Sequence, residues 1–304
     1  MDFRYSVEDP WHGRFQLAHC GALMDVEAMG PDYVRSMCHD IEDPTFDATA
    51  VASNPRAQVR PVHRPPRTPA GRTPHCEWTV VIDESHEPVG FSDGCLDLQS
   101  SRAASVELDP IDPSSPGWSD YSGPLVDDLD FSEFSHSALA RIADEVCLQM
   151  HLLYLGFRRA VFLRLPEQEA REICRKQLTG IAGVAASRLA SALSLPASAE
   201  GARRVLDLHP LFNPVAYVST ADSPAHLDQA WISLVGPDEV RPLQAIVRAV
   251  DPYLDIVVSG SPWTVEVVVR DEPAAEPGEV AVTRFSSGAA FTFEPRRSLP
   301  ITPV

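Results

Sequence analysis

The residues best equipped for chemistry crowd the first third of the chain. Four of the six cysteines (20, 38, 76 and 95) and six of the ten histidines (12, 19, 39, 63, 75 and 86) fall within residues 1–95. They include three adjacent pairs, His19-Cys20, Cys38-His39 and His75-Cys76. On a strand, neighbouring side chains point to opposite faces, so each pair can aim one member inward. Two chemistries follow. Cys20, Cys38, His75 and Cys76 form a pool of zinc ligands from which a tetrahedral site could take three and leave the fourth position to water. The spacing is not that of a zinc finger, since no Cys-x-x-Cys occurs. Alternatively, a cysteine beside a histidine can ionise and attack an electrophilic carbon. Cys38-His39-Asp40 supplies thiol, imidazole and carboxylate in sequence, with His75 an equally good base for Cys38. For any one of these residues the plainer reading is a small core thiol or a loop histidine. Three pairs together favour function.

Around the pairs lie further candidates. Asp40, Glu42, Asp43 and Asp47 could bind a metal, cap a helix or orient a histidine, and Asp43 before Pro44 reads as the N-cap of a helix starting near Thr45. Arg60, Arg64 and Arg67, on a proline-rich stretch, could clamp a substrate carboxylate. Asp144, Cys147 and His151 share one helix face by their spacing, where a buried cysteine with a capped histidine is the better expectation than a metal trio. His226, Asp228 and Asp238 have no organised spacing.

The elements that must position these groups can be read from punctuation and period. Residues 54–74 hold six prolines and five arginines and read as edge strand or extended loop. Residues 103–140 hold eight carboxylates and neither Lys nor Arg, with Asp-Pro twice and Ser-Ser-Pro-Gly, the look of a solvated connector. The domain division expected is therefore 1–102, a linker over 103–138, and 139–304. Apolar residues recur at helical period from Leu139 to Val161. Pro166 opens a second helix from Glu167 to about Leu195, rich in small residues, so that the two form a helical hairpin. Val240–Val250 has helical spacing. Leu254–Val258 and Trp263–Val269 are β-branched runs split by Ser-Gly-Ser-Pro, a hairpin signal. Glu279–Phe285 with Ala289–Phe293 suggests another hairpin.

The two ends of the chain also resemble each other. A helix-like segment, then Asn54-Pro55, an extended run and Trp78-Thr79-Val80 is matched by a helix-like segment, Asp251-Pro252, an extended run and Trp263-Thr264-Val265. One helix-plus-hairpin unit used twice explains this order, with the Cys/His pairs only in the first copy. The fold class expected is α+β, a duplicated helix-plus-β-hairpin unit with antiparallel strands and a central helical hairpin.

Charge narrows the partners. Of 304 residues, 43 are acidic and 25 basic, a formal net charge of -18. Lys176 is the one lysine. Such a surface repels phosphate backbones and anionic bilayers, so neither nucleic acid nor membrane is expected. No apolar run reaches the roughly 20 residues of a spanning helix. The opening residues lack a basic-then-apolar leader, which points to a cytoplasmic protein with reduced thiols. The partner expected is a small molecule, with a homodimer or partner subunit as the larger assembly.

The stretch of residues 15–85 resembles the L-2-amino-thiazoline-4-carboxylic acid hydrolase family. The likeness lies in a cysteine after a first strand, Cys38 with Asp40, Asn54-Pro55 before an arginine-bearing strand, and His75-Cys76-Glu77-Trp78. The helical hairpin 139–195 with the second copy is also similar to vinyl-reductase-type ligand-binding domains. The first resemblance implies a hydrolase of a small nitrogen-containing carboxylate. Water would attack a cyclic amidine-like carbon, helped by zinc or preceded by thiolate attack, while an arginine holds the carboxylate. The chain departs from that pattern in its longer proline-rich strand, its extra domain and its doubled unit. The alternative is a non-catalytic small-molecule-binding or partner subunit whose Cys/His cluster is structural.

Overall fold

A computed structural model describes residues 2–121, 130–218, 239–260 and 263–286. The chain is a mixed α+β protein, with one four-stranded and one two-stranded antiparallel sheet among the described residues. It divides into two units, the first built on residues 1–93 and the second on 94–121 and 131–284. No helix among the described residues is long and apolar enough to cross a membrane.

In the first unit, β1 (Asp2–Asp9) and β2 (His12–His19) form a hairpin. Its turn is set by Asp9-Pro10. Pro10 fixes φ, and the Asp9 carboxylate accepts from the N–H groups of Trp11 at 2.7 Å and His12 at 2.9 Å. Three helical pieces follow: α1 (Gly21–Glu27), α2 (Pro31–Arg35) and α3 (Glu42–Ser53), the last two joined by a π-helical turn, Ser36–Ile41. The second hairpin is β3 (Ala57–His63) and β4 (Cys76–Ile82), and the sheet order is β1-β2-β4-β3. The pairs Phe15↔Trp78, Leu17↔Cys76 and Val59↔Val80 bring the apolar residues onto one face. Leu23, Val26, Val34 and Cys38 from the helices bury that face, with Phe46 packed against the cluster. Trp78 is its centre, fully buried, stacked on Phe15 at 6.2 Å and met edge-on by Phe46 at 4.8 Å.

The proline-rich stretch is the edge strand β3 and the loop after it. Asp43 is not the N-cap expected: the π-turn runs straight into α3, so the helix has no free start near Thr45. Asp43 instead sits in its first turn and pairs with Arg64.

The second unit contains α4 (Asp93–Gln99), which begins at the division, α5 (Arg102–Ser105), α6 (His136–Phe162), α7 (Glu167–Ala192), α8 (Ala199–Leu208) and α9 (Val215–Val218). After them come α10 (Arg241–Val250), β5 (Leu254–Gly260), β6 (Trp263–Val269) and α11 (Gly278–Ser286). The long pair α6 and α7 is the helical hairpin expected, and Ser135 caps α6 by accepting from the N–H of Ala138 at 3.1 Å. α10 lies on α7, α8 and β5 and brings Leu243, Ile246 and Val247 into the core.

A further expectation is corrected. Glu279–Phe285 is helix rather than strand. Pro277 precedes it, and Val280 and Thr283, three residues apart, share the face that meets Gly183 and Gly180 of α7. Ala289–Phe293, like His226, Asp228 and Asp238, lies outside the described residues.

The two α–β–β segments have matching joints. Asn54 ends α3 at φ −148, ψ 122, and Asp251 ends α10 at φ −151, ψ 122. The side chain of each accepts an N–H two residues on, from Arg56 and Tyr253, at 2.9 Å. The carbonyl of each accepts from the first residue of the following strand, Ala57 or Leu254, at 3.0 Å.

Candidate functional site

The three His/Cys pairs each turn the cysteine inward. Cys20, Cys38 and Cys76 are buried in the core under the sheet of the first unit, with the half-buried Phe46 and the fully buried Trp78. Burial raises all three thiols. It is the leading cause in each case, with Glu42 adding to it, and Cys38 and Cys76 are pushed up to about 12. At neutral pH these are protonated thiols, the inert form.

Their neighbours are committed to structure. His75 is buried. Its backbone N–H donates to the Leu17 carbonyl at 2.8 Å, and its Nδ1 accepts the N–H of Cys20 at 3.1 Å, tying the end of β2 to the start of β4. The proton therefore resides on Nε2, and burial, followed by the Arg67 and His19 charges, lowers the His75 pKa. Cys20 itself caps α1, its Sγ accepting from the N–H of Leu23 at 3.4 Å.

The π-turn separates the Cys38-His39-Asp40 run. Cys38 enters the core, His39 bonds the Pro65 carbonyl at 2.7 Å, and Asp40 is exposed. Among the described residues no group of three or more His, Cys, Asp or Glu side chains is arranged to hold a metal ion.

The arginines are paired with acids. Arg60 reaches both Asp47 oxygens at 3.0 Å, Arg67 makes a two-armed contact with Glu27 at 2.8 Å, and Arg64 bonds Asp43 while lying over the Trp78 ring at 5.8 Å. In the second unit, Cys147 and His151 are buried. The ring of His151 bonds the Asn213 carbonyl at 2.8 Å and leans on Tyr217, while burial and then Asp144 push the Cys147 thiol up to about 11.

A cavity lies elsewhere on the first unit. α3 covers only part of the apolar sheet face, and beyond it a half-open groove of about 640 Å³ remains between sheet and helix. Its floor is Phe3, Tyr5 and Val7 of β1, Gly13 and Phe15 of β2, and Val80 of β4. Its helix wall is Phe46, Ala50 and neighbours, and Trp11 stands in the hairpin turn beside it. Gly13 faces Val7 and Val80, so the floor is lowest where β2 carries no side chain. Tyr5 is 42%, Val7 43% and Trp11 57% exposed, an apolar surface left to water.

Several polar groups of the lining are already engaged. Thr45 and Thr49 donate to the carbonyls four residues back, Asn54 accepts from Arg56, and Asp9 pairs with His12. None of Cys20, Cys38, His75 or Cys76 lines the groove. A ligand seated there would meet mainly carbon.

Comparison with protein-family models, curated proteins and solved structures found no match to the chain.

The Cys/His pairs drew attention by their chemistry, whereas the groove is made of ordinary residues. Its signal is the alternation Phe3-x-Tyr5-x-Val7 followed by Gly13-x-Phe15-x-Leu17, a hairpin with one apolar face interrupted by a glycine.

Proposed function

We propose that the first unit is a non-catalytic binding module that holds a predominantly apolar ligand in the groove between its sheet and α3. The observation that carries this reading is the groove itself. Its volume falls in the range of about 300–1,000 Å³ usual for ligand sites, and several of its polar groups are bonded internally. The thiol–histidine core is then the module's anchor, fixing the ends of β2 and β4 that shape the floor.

The hydrolytic reading draws support from the convergence of three thiols and Glu42 in one core. It requires a reactive thiolate or a bound metal there, and neutral thiols away from the cavity favour the binding module.

We also infer that the two α–β–β segments descend from one duplicated unit, on the strength of their matching caps and turns. The first copy carries the additional hairpin β1–β2, and that hairpin supplies much of the groove floor.

The test uses Nile red, a neutral dye that brightens in apolar surroundings. The full chain should bind it with saturable, one-to-one fluorescence enhancement. Ala50→Trp, which fills the groove from α3, should abolish the signal while the far-UV circular dichroism stays unchanged. Undiminished binding by a folded A50W protein would overturn the assignment.

A further inference from the structure

We infer that the groove's occupant is an extended polypeptide segment, which adds as a further strand along the outer edge of β1 and lowers alternate apolar side chains into the cavity. This deepens the binding-module reading and rests on it.

The two edges of the sheet are treated differently. At β3, Pro61 removes one backbone donor, and the Asp47 carboxylate of α3 accepts the N–H of Val59 at 2.9 Å. Those features close β3 to a new partner. At β1, no proline occurs between Phe3 and Glu8. Among the described residues, the backbone of that stretch makes no backbone hydrogen bond except to β2. An open row of donors and acceptors is what strand addition requires.

The cavity adjoins this same edge. Phe3, Tyr5 and Val7 of β1 line it, and Tyr5 and Val7 keep more than two-fifths of their surface exposed. Strand side chains alternate between faces, so an added segment would put every second residue over the groove. Its other residues would lie beside Arg4, Ser6 and Glu8. Arg4 and Glu8 carry opposite charges, and Glu8 is already bound to Arg14 at 2.6 Å, so polar residues rather than charges of one sign suit that face. The segment recognised is therefore extended, with apolar and polar residues alternating.

The probe is a fluorescein-labelled synthetic peptide of about eight residues, an ordinary strand length, alternating valine with threonine. It is titrated against the full chain by anisotropy. Two further peptides carry N-methyl groups on the odd or on the even residues. In strand addition only every second N–H faces β1. One methylated set should therefore weaken binding at least about tenfold, near 1.4 kcal/mol, and the other should leave it nearly unchanged. Equal effects of the two sets, or no binding of the parent peptide, overturn strand addition. If Nile red still binds in that case, the groove reading stands; if it does not, both readings fall.

Discussion

At the scale of single residues, the first unit sets its polar atoms against its core at Glu42. This carboxyl is buried beside Cys20, Cys38 and Cys76, and its Oε2 has no hydrogen-bond partner. Burial, and after it the Asp43 charge, pushes Glu42 up to about 7, although Arg64 pulls the other way. In the unfolded chain it ionises near 4.5. Between those values the folded state holds a proton that the unfolded state has released. Stability from this group is therefore present at low pH and is lost as pH rises through about 7. Glu42→Gln should be more stable than the wild type at pH 8, by about 2 kcal/mol, with the gap closing towards pH 5. Urea denaturation at the two pH values checks this, and a gap that does not change with pH would contradict it. The thiols give a second expectation. Iodoacetamide at pH 7 should modify the half-buried Cys95 well before Cys38, which should react only when the fold is opened. Rapid labelling of Cys38 in the folded protein, read by mass spectrometry, would favour the hydrolytic reading instead.

Elements were legible where period and punctuation agreed. The α6–α7 pair, α10 and the β5–β6 hairpin all follow from helical spacing or β-branched runs bounded by Pro, Gly and Ser. The matching turns at Asn54 and Asp251 follow from Asx-Pro. Failures occurred where context overrode local preference. Glu279–Phe285 has a β-rich composition, but Gly180 and Gly183 offer a slot on α7 that a helix fills. A Cβ at Gly180 would come within 2.8 Å of the Glu279 carbonyl, and one at Gly183 within 2.6 Å of Val280. Gly180→Ala should therefore displace α11 and cost about 1–3 kcal/mol, despite alanine's better helix propensity. Thermal denaturation measures the loss, and a stabilised G180A protein would contradict this packing. The π-turn at residues 36–41 was equally hidden, because no residue type announces it. It sends Cys38, His39 and Asp40 to three different surroundings.

At the scale of the molecule, each unit has its own apolar core, and the chemistry that the sequence advertised lies within one of them. Cysteine and histidine are conspicuous in a sequence, yet here Cys20, Cys38 and Cys76 are sealed beneath a sheet, and His39, His63 and His86 bond backbone carbonyls. The groove was legible only in the apolar alternation of its floor. The space above that floor depends on where α3 stops covering the sheet and on β1 lying at an edge, facts of tertiary arrangement that no local pattern contains. The account stands on occupancy of that groove. Its most direct measurement is the map of backbone amide shifts when Nile red is added to the isotope-labelled full chain. The account predicts changes centred on Tyr5, Val7, Gly13, Phe46 and Ala50, with little change at Cys38 or in the second unit. Shifts centred on the buried thiols or on the second unit, with the groove silent, would contradict it.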